Sequence, residues 1–322
     1  MPYQRYIHAV LILASVCLAV VGAVNLRVDP LGLFSWDSAF AEDLARAALE
    51  GKDMAIEGGN LEDRRLTISL LRDKNYPFDV VSVGSSRTMQ LRENSFPFAK
   101  FYNHALWGSI IVDYLGVKYL LGERNVPPRM VVIGADPWIF NAHARQIRWW
   151  PLFPQAQREL AHLSPRLDWQ THLRLQARYF LDYQKILVEK LTQLFSYPYL
   201  KRSYEKIVEC RCLEGASLKA GETSNDLSPS LIKRHDGSVA NPIAARVRPA
   251  AEVRQEAEGF ARSPNFYSYE NYSRMDPDLQ ELFEALVADL RASGTEIVIL
   301  LAPFHPIAYD GMMHRADGRI TA

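Results

Sequence analysis

The sequence predicts an α/β protein, with a parallel sheet and helices between its strands, behind one N-terminal helix long enough to cross a membrane. Three apolar runs carry the first part: "FDVVSVGSS" (78–86), "MVVIGADPW" (130–138) and "EIVILLAPF" (296–304). Each is rich in Val and Ile without clean alternation, as expected of a strand buried on both faces, and each stops at Gly, Asp or Pro. The segments between them have helical spacing. "SIIVDYLGVKYLLGER" (109–124) precedes the second run. "DPDLQELFEALVADLRASG" (276–294) precedes the third, with Asp276 as cap, Pro277 in the first helical position and Gly294 at the stop. Strand and helix in alternation imply a parallel sheet covered on both faces.

Residues 7–24, "IHAVLILASVCLAVVGAV", hold one histidine and no fixed charge, enough for one bilayer crossing. A cleaved signal is the alternative, because Val21-Gly22-Ala23 resembles a small-residue cleavage site. The run exceeds a typical signal core of roughly 7–15 residues, which favours an uncleaved anchor over residues 1–25. On either reading residues 26–322 are exported: the chain is expected at the inner (cytoplasmic) membrane, single-pass, with its main domain in the periplasm or outside the cell.

With 48% hydrophobic residues over 322 positions the chain can bury a large core. Lys plus Arg equals Asp plus Glu, 37 of each, so no basic footprint speaks for nucleic acid. Cys17 lies in the apolar run, and Cys210 and Cys212 are one residue apart, too close for an unstrained disulfide and short of a zinc ligand set. Between about 143 and 275 the composition changes and reads as a helical insertion. "DWQTHLRLQARYFLDYQKILVEKLTQLF" (168–195) is one long helix, and "SLIKRHDGSVANP" (230–242) is a hairpin around Asp236-Gly237. The frequent Tyr, Trp and Arg there suit either an aromatic cover on the sheet or a sugar- or acyl-binding surface.

Ligands of such sheets bind outside the carboxyl ends of the strands. That rim holds Ser85, Ser86, Asp136 and His305. A strand that turns sharply at Gly84 into a helix "RTMQLREN" would project Ser86 toward a carbonyl and aim helix N-terminal N–H groups at the oxyanion. The plain alternative is that Ser85 or Ser86 caps that helix. Asn103 and Gly108 in "FYNHALWGS", and Asp136 and Asn141 in "GADPWIFN", could complete an oxyanion hole or serve as ordinary turn residues.

Gly84-Ser85-Ser86-Arg87, "NHALWGS", "IGADPWIFN", "RHDGS" and "LLAPFHP", in that order, resemble the membrane-anchored branch of the SGNH (GDSL-like) hydrolase superfamily. The resemblance implies a three-layer α/β/α sandwich with a parallel flavodoxin-like sheet. It also implies an O-acyl (acetyl) esterase or acyltransferase acting on a cell-envelope polysaccharide or its acyl donor, without metal or cofactor. Ser86 maps to the nucleophile and Gly108 to the oxyanion glycine, with Asn103, Asp136, Asn141 and Arg87 as further oxyanion or substrate contacts. The family's third block is Gly-x-Asn, whereas this chain has Gly134-Ala135-Asp136, and a bare carboxylate there would repel an oxyanion. The family's C-terminal Asp-x-x-His is missing. Three arrangements follow: His314 with Asp310 as a displaced base, His305 as the base, or no base at all. The last corresponds to a non-catalytic SGNH-fold envelope binding or assembly protein, or to a truncated inactive product. His104 is expected to be structural, and His235 has no partner evident in the sequence.

Overall fold

The computed structural model describes residues 2–29, 34, 39–57, 63–124, 126–144, 146, 148–208, 217–220, 228–263, 272 and 274–314. In chain order its elements are α1 (Pro2–Val28), α2 (Ala39–Leu49), β1 (Met54–Glu57), α3 (Asp63–Arg72), β2 (Val80–Val83), β3 (Phe101–Asn103), α4 (Ile111–Gly122), β4 (Met130–Gly134), α5 (Phe153–His162), α6 (Trp169–Leu194) and α7 (Tyr197–Val208). They continue with β5 (Ser217–Ala220), β6 (Leu231–Lys233), β7 (Val239–Ala240), α8 (Ile243–Arg246), α9 (Ala250–Arg262), α10 (Pro277–Ala292), β8 (Glu296–Leu300) and α11 (Pro306–Met313). The two sequence-predicted helices flanking the second run, and the long one, form as α4, α10 and α6. Asp276 and Asp168 cap α10 and α6 by accepting from backbone N–H groups of the first turn.

The three apolar runs become β2, β4 and β8, which pair in parallel, with β3 added beside β2. The order across the sheet is β3-β2-β4-β8, so it reverses direction of growth between β2 and β4. Val81, Val83, Val131 and Ile133 form one core with Leu115 and Val117 of α4 and Leu282 and Leu286 of α10. β8 is the outer strand and leaves Val298, Ile299 and Leu301 substantially exposed.

A second sheet, antiparallel and ordered β5-β1-β6-β7, was not foreseen. It joins a strand from before the parallel sheet, β1, to strands from the insertion, and its β6–β7 turn is the expected hairpin with Gly237 at φ +76°. This hairpin clamps the parallel sheet: Asn103 N–H donates to the Asp236 carbonyl, and Val239 N–H to the Met89 carbonyl. A Cβ on Gly237 would stand 2.4 Å from the Asn103 carbonyl oxygen, so only glycine lets the two backbones meet.

At the N-terminus Tyr3–Val28 contains an 18-residue stretch with a mean hydropathy of 2.6 and is long and apolar enough to cross a membrane. Cys210 and Cys212 lie outside the described residues.

Candidate functional site at the carboxyl ends of the parallel strands

The segment after β2 departs from expectation. Residues 86–90 form consecutive turns, followed by a 3₁₀ turn at Glu93–Ser95, in place of the helix anticipated from "RTMQLREN". The carbonyls that a helix would use are taken from elsewhere. Thr88 and Leu91 carbonyls accept from the Asn103 carboxamide at 2.9 Å each, and the Met89 carbonyl accepts from Val239. Ser86 therefore stands on a turn, and no helix N-terminus backs it.

The turn is held by groups that converge from the other strand ends. Ser85, fully buried, donates its hydroxyl to Asp136 Oδ2 at 2.5 Å. Asp136 Oδ1 accepts from the Arg87 guanidinium at 2.9 Å, and the same guanidinium donates to the Ala302 carbonyl after β8. Arg87 also lies over the Phe304 ring at 3.7 Å and the Trp138 ring at 5.8 Å. Burial pushes the Asp136 carboxyl above its ordinary value, opposed by the Ser85 hydroxyl and the Arg87 charge. The concern that Asp136 faces substrate as a bare anion is removed: both of its oxygens are occupied and its charge is paired. Gly84 and Gly134 are close-approach positions, since a Cβ on either would come within 2.2 Å or 2.1 Å of the Thr88 hydroxyl.

Asn103 is a fixing residue for this turn, because its amide serves Thr88 and Leu91 and its oxygen accepts from Ala105 N–H at 2.9 Å. His104 is buried as expected, between Thr67 and the Tyr76 hydroxyl at 3.3 and 2.7 Å. Burial, with help from the charges of Lys233 and Arg124, lowers its pKa to about 3, so it stays neutral. The following loop is pinned on both sides of Gly108. Leu106 N–H donates to the Gly84 carbonyl, Arg64 to the Trp107 carbonyl and the Trp138 indole to the Ser109 carbonyl. Arg64 itself donates a fully buried pair of hydrogen bonds to the Asp113 carboxylate, at 2.9 and 3.0 Å, and Asp113 also accepts from the Ile110 N–H at the start of α4.

Ser86 is partly exposed, and its hydroxyl makes no hydrogen bond among the described residues. The backbone N–H groups of Ser86 and Gly108 likewise donate to no described group. Gly108 adopts φ +60° and faces the Gln146 carboxamide. Gln146 and Asn141 line a cavity of about 610 Å³ between this loop and α6, with Trp149, Arg178 and Tyr179. The Asn141 oxygen is bonded to His143 N–H, whereas the buried Tyr179 hydroxyl has no hydrogen-bond partner among the described residues.

The candidate bases are placed apart. His305 caps α11, its Nδ1 accepting from Ile307 N–H at 3.3 Å, and it follows Phe304, which lies under Arg87. His314 ends the same helix; its Nδ1 bonds the Asp310 main-chain carbonyl at 2.9 Å and not the Asp310 carboxylate. Among the described residues no histidine is hydrogen-bonded to Ser86. His235, for which the sequence offered no partner, has two: Nδ1 meets Asp53 at 2.6 Å and Nε2 meets Glu93 at 3.1 Å. Its partners lie in β1's lead-in and in the 3₁₀ turn, distances along the chain that no local pattern encodes.

Glu159, His162 and Asp289 also converge. The Lys118 ammonium sits 2.6 Å from both carboxylates, so a cation already occupies that centre as a salt bridge. Comparison with protein-family models, curated proteins and solved structures gives no match to this chain.

Proposed function

We propose that this chain is an SGNH-like serine O-acyl esterase or acyltransferase of the cell envelope, held at the membrane by α1. The observation that carries the reading is Ser86: a partly exposed hydroxyl without a hydrogen-bond partner among the described residues, at the carboxyl end of β2, where the strand order reverses. In parallel sheets that crevice is where ligands bind. The β3-β2-β4-β8 order also supports the flavodoxin-like sandwich that the resemblance implies.

In the proposed reaction Ser86 Oγ attacks the acyl carbonyl while a histidine takes its proton. The N–H groups of Ser86 and Gly108 stabilise the oxyanion. Collapse expels the alkoxide, which recovers that proton, and leaves an acyl-serine. Water then yields the acid, or a sugar hydroxyl yields the transferred ester. His305 is the favoured base because its loop touches Arg87, the neighbour of Ser86. Ser85, Asp136, Arg87 and Asn103 position the turn, and the cavity lined by Asn141 and Gln146 offers space for a glycan beside Gly108.

A second reading, a non-catalytic envelope binding protein, is favoured by one observation: among the described residues no histidine is bonded to Ser86. Fluorophosphonate labelling of the full chain in detergent, located by peptide mass spectrometry, separates the two. Labelling confined to Ser86 and lost in His305→Ala supports the esterase reading. Retention in His305→Ala with loss in His314→Ala moves the base to His314. A folded chain that is not labelled refutes the catalytic reading.

A further inference from the structure

Helix α6 has two faces of opposite character. Arg178, Tyr179, Asp182, Lys185, Ile186 and Glu189 line the cavity described above. On the far side Leu173, Phe180, Leu181, Val188, Leu191 and Phe195 are each about half exposed. At about 3.6 residues per turn these positions fall within roughly a third of the helix circumference. In α7 the apolar Tyr197, Tyr204, Ile207 and Val208 are exposed in the same way. Water is a poor neighbour for so long an apolar stripe, and monomeric soluble surfaces rarely carry one.

The stripe is continuous with α1. Asn25, fully buried near the end of that apolar helix, donates to the Leu194 carbonyl at 2.7 Å and accepts from the Ser203 hydroxyl at 2.9 Å. Asp29 accepts from the Tyr199 hydroxyl at 2.5 Å. A Cβ at Gly22 would come within 2.8 Å of the Phe195 ring, so the helices touch there without side-chain clearance. The last turns of α1 are thus built into the domain, and they deliver the end of α6 and all of α7 to the point where α1 leaves it.

We propose that the carboxyl-terminal half of α6, together with α7, lies against the lipid bilayer that α1 enters. Their apolar stripe sinks to the boundary between headgroups and acyl chains, which for interfacial helices is about 5–10 Å deep. The side chains suit that level. Tyr197 and Tyr204 have the amphipathic rings of membrane interfaces, and the exposed Lys201 and Arg202 reach lipid phosphates. The cavity then faces away from the lipid, on the other side of α6. This inference is independent of whether Ser86 is a nucleophile.

The test uses the full chain in phosphatidylcholine–phosphatidylglycerol vesicles, with Cys17, Cys210 and Cys212 changed to Ser. Single cysteines replace Val188, Leu191 or Tyr204, with Leu11 in α1 and Lys185 on the cavity face as references, each carrying an environment-sensitive nitrobenzoxadiazole label. All are exposed positions that tolerate substitution. The proposal expects blue-shifted emission at 188, 191 and 204, and quenching by shallow spin-labelled lipid about threefold or more above that at 185. Water-like emission at 188 and 191 overturns it. So does shielding without lipid quenching, which would assign the stripe to a second copy or another protein. Absence of lipid quenching at 11 also overturns it.

Discussion

His235 ties three separate parts of the chain together, and its titration can be read out. Its imidazole lies between Asp53 and Glu93, and its backbone N–H donates to Asp53 as well, at 3.0 Å. The Asp53 hydrogen bond, with the nearby negative charges, outweighs burial and raises its pKa from the ordinary 6.5 to about 9. At about 1.4 kcal/mol per pH unit that change would correspond to about 3 kcal/mol in a shielded site. The ring is near the surface, and solvent screening reduces the figure to about 1 kcal/mol. Because the folded pKa lies above the unfolded one, this stability is fully present below about pH 6.5 and is lost as pH rises to about 9. Thermal unfolding of the full chain in detergent, with and without His235→Gln, isolates the effect from other titrating groups. Wild type should exceed the variant by about 2 °C at pH 6 and converge with it near pH 9.5. Parallel pH profiles would refute the argument. On the acid side, burial would raise the Asp53 carboxyl, but the His235 side-chain and backbone hydrogen bonds prevail and hold it below the usual range. Its own contribution is therefore present above about pH 4 and lost as pH falls.

Four further outcomes are expected. Ser86→Ala should change stability by less than about 0.5 kcal/mol, since its hydroxyl makes no hydrogen bond among the described residues, while eliminating any fluorophosphonate adduct. Gly84→Ala should destabilise by about 1–3 kcal/mol in chemical denaturation, because its Cβ would overlap the Thr88 hydroxyl; a neutral result would disprove that close approach. Asp113→Ala should cost about 3–5 kcal/mol by removing the carboxylate counter-charge of the buried Arg64 guanidinium, whose bond to the Trp107 carbonyl remains, and a double Arg64→Met, Asp113→Leu variant should recover much of the loss. Asn103→Ala removes both bonds to the Thr88 and Leu91 carbonyls, so hydrogen exchange should accelerate across 86–95 and leave α4 protected.

Local patterns made much of the scaffold legible. Val- and Ile-rich runs marked β2, β4 and β8 as strands, and the helices between them their parallel pairing; the expected burial on both faces holds for β2 and β4 but not for β8, because as the outer strand it has a neighbour on one side only. Capping residues and the terminal glycine marked α10, and Asp236-Gly237 marked the hairpin. The same nearest-neighbour logic failed at "RTMQLREN". Its helical propensity is real, but Asn103 and Val239, brought from β3 and the hairpin, compete successfully for its carbonyls. β1 is four residues long and pairs with strands at least 160 positions away, so its sequence carries almost no signal.

The candidate site divides along the same line. That Ser86 follows a buried strand at a glycine, and that α1 is apolar over a bilayer's length, are properties of contiguous residues and were determined by the sequence itself. That Asp136 pairs with Ser85 and Arg87, that Arg87 reaches the Ala302 carbonyl and the Phe304 ring, and that His235 finds Asp53 were decided only by the tertiary structure. Charge pairing and hydrogen bonding depend on distance in space, and the parallel sheet is what turns separations of 51 and 215 residues into contact.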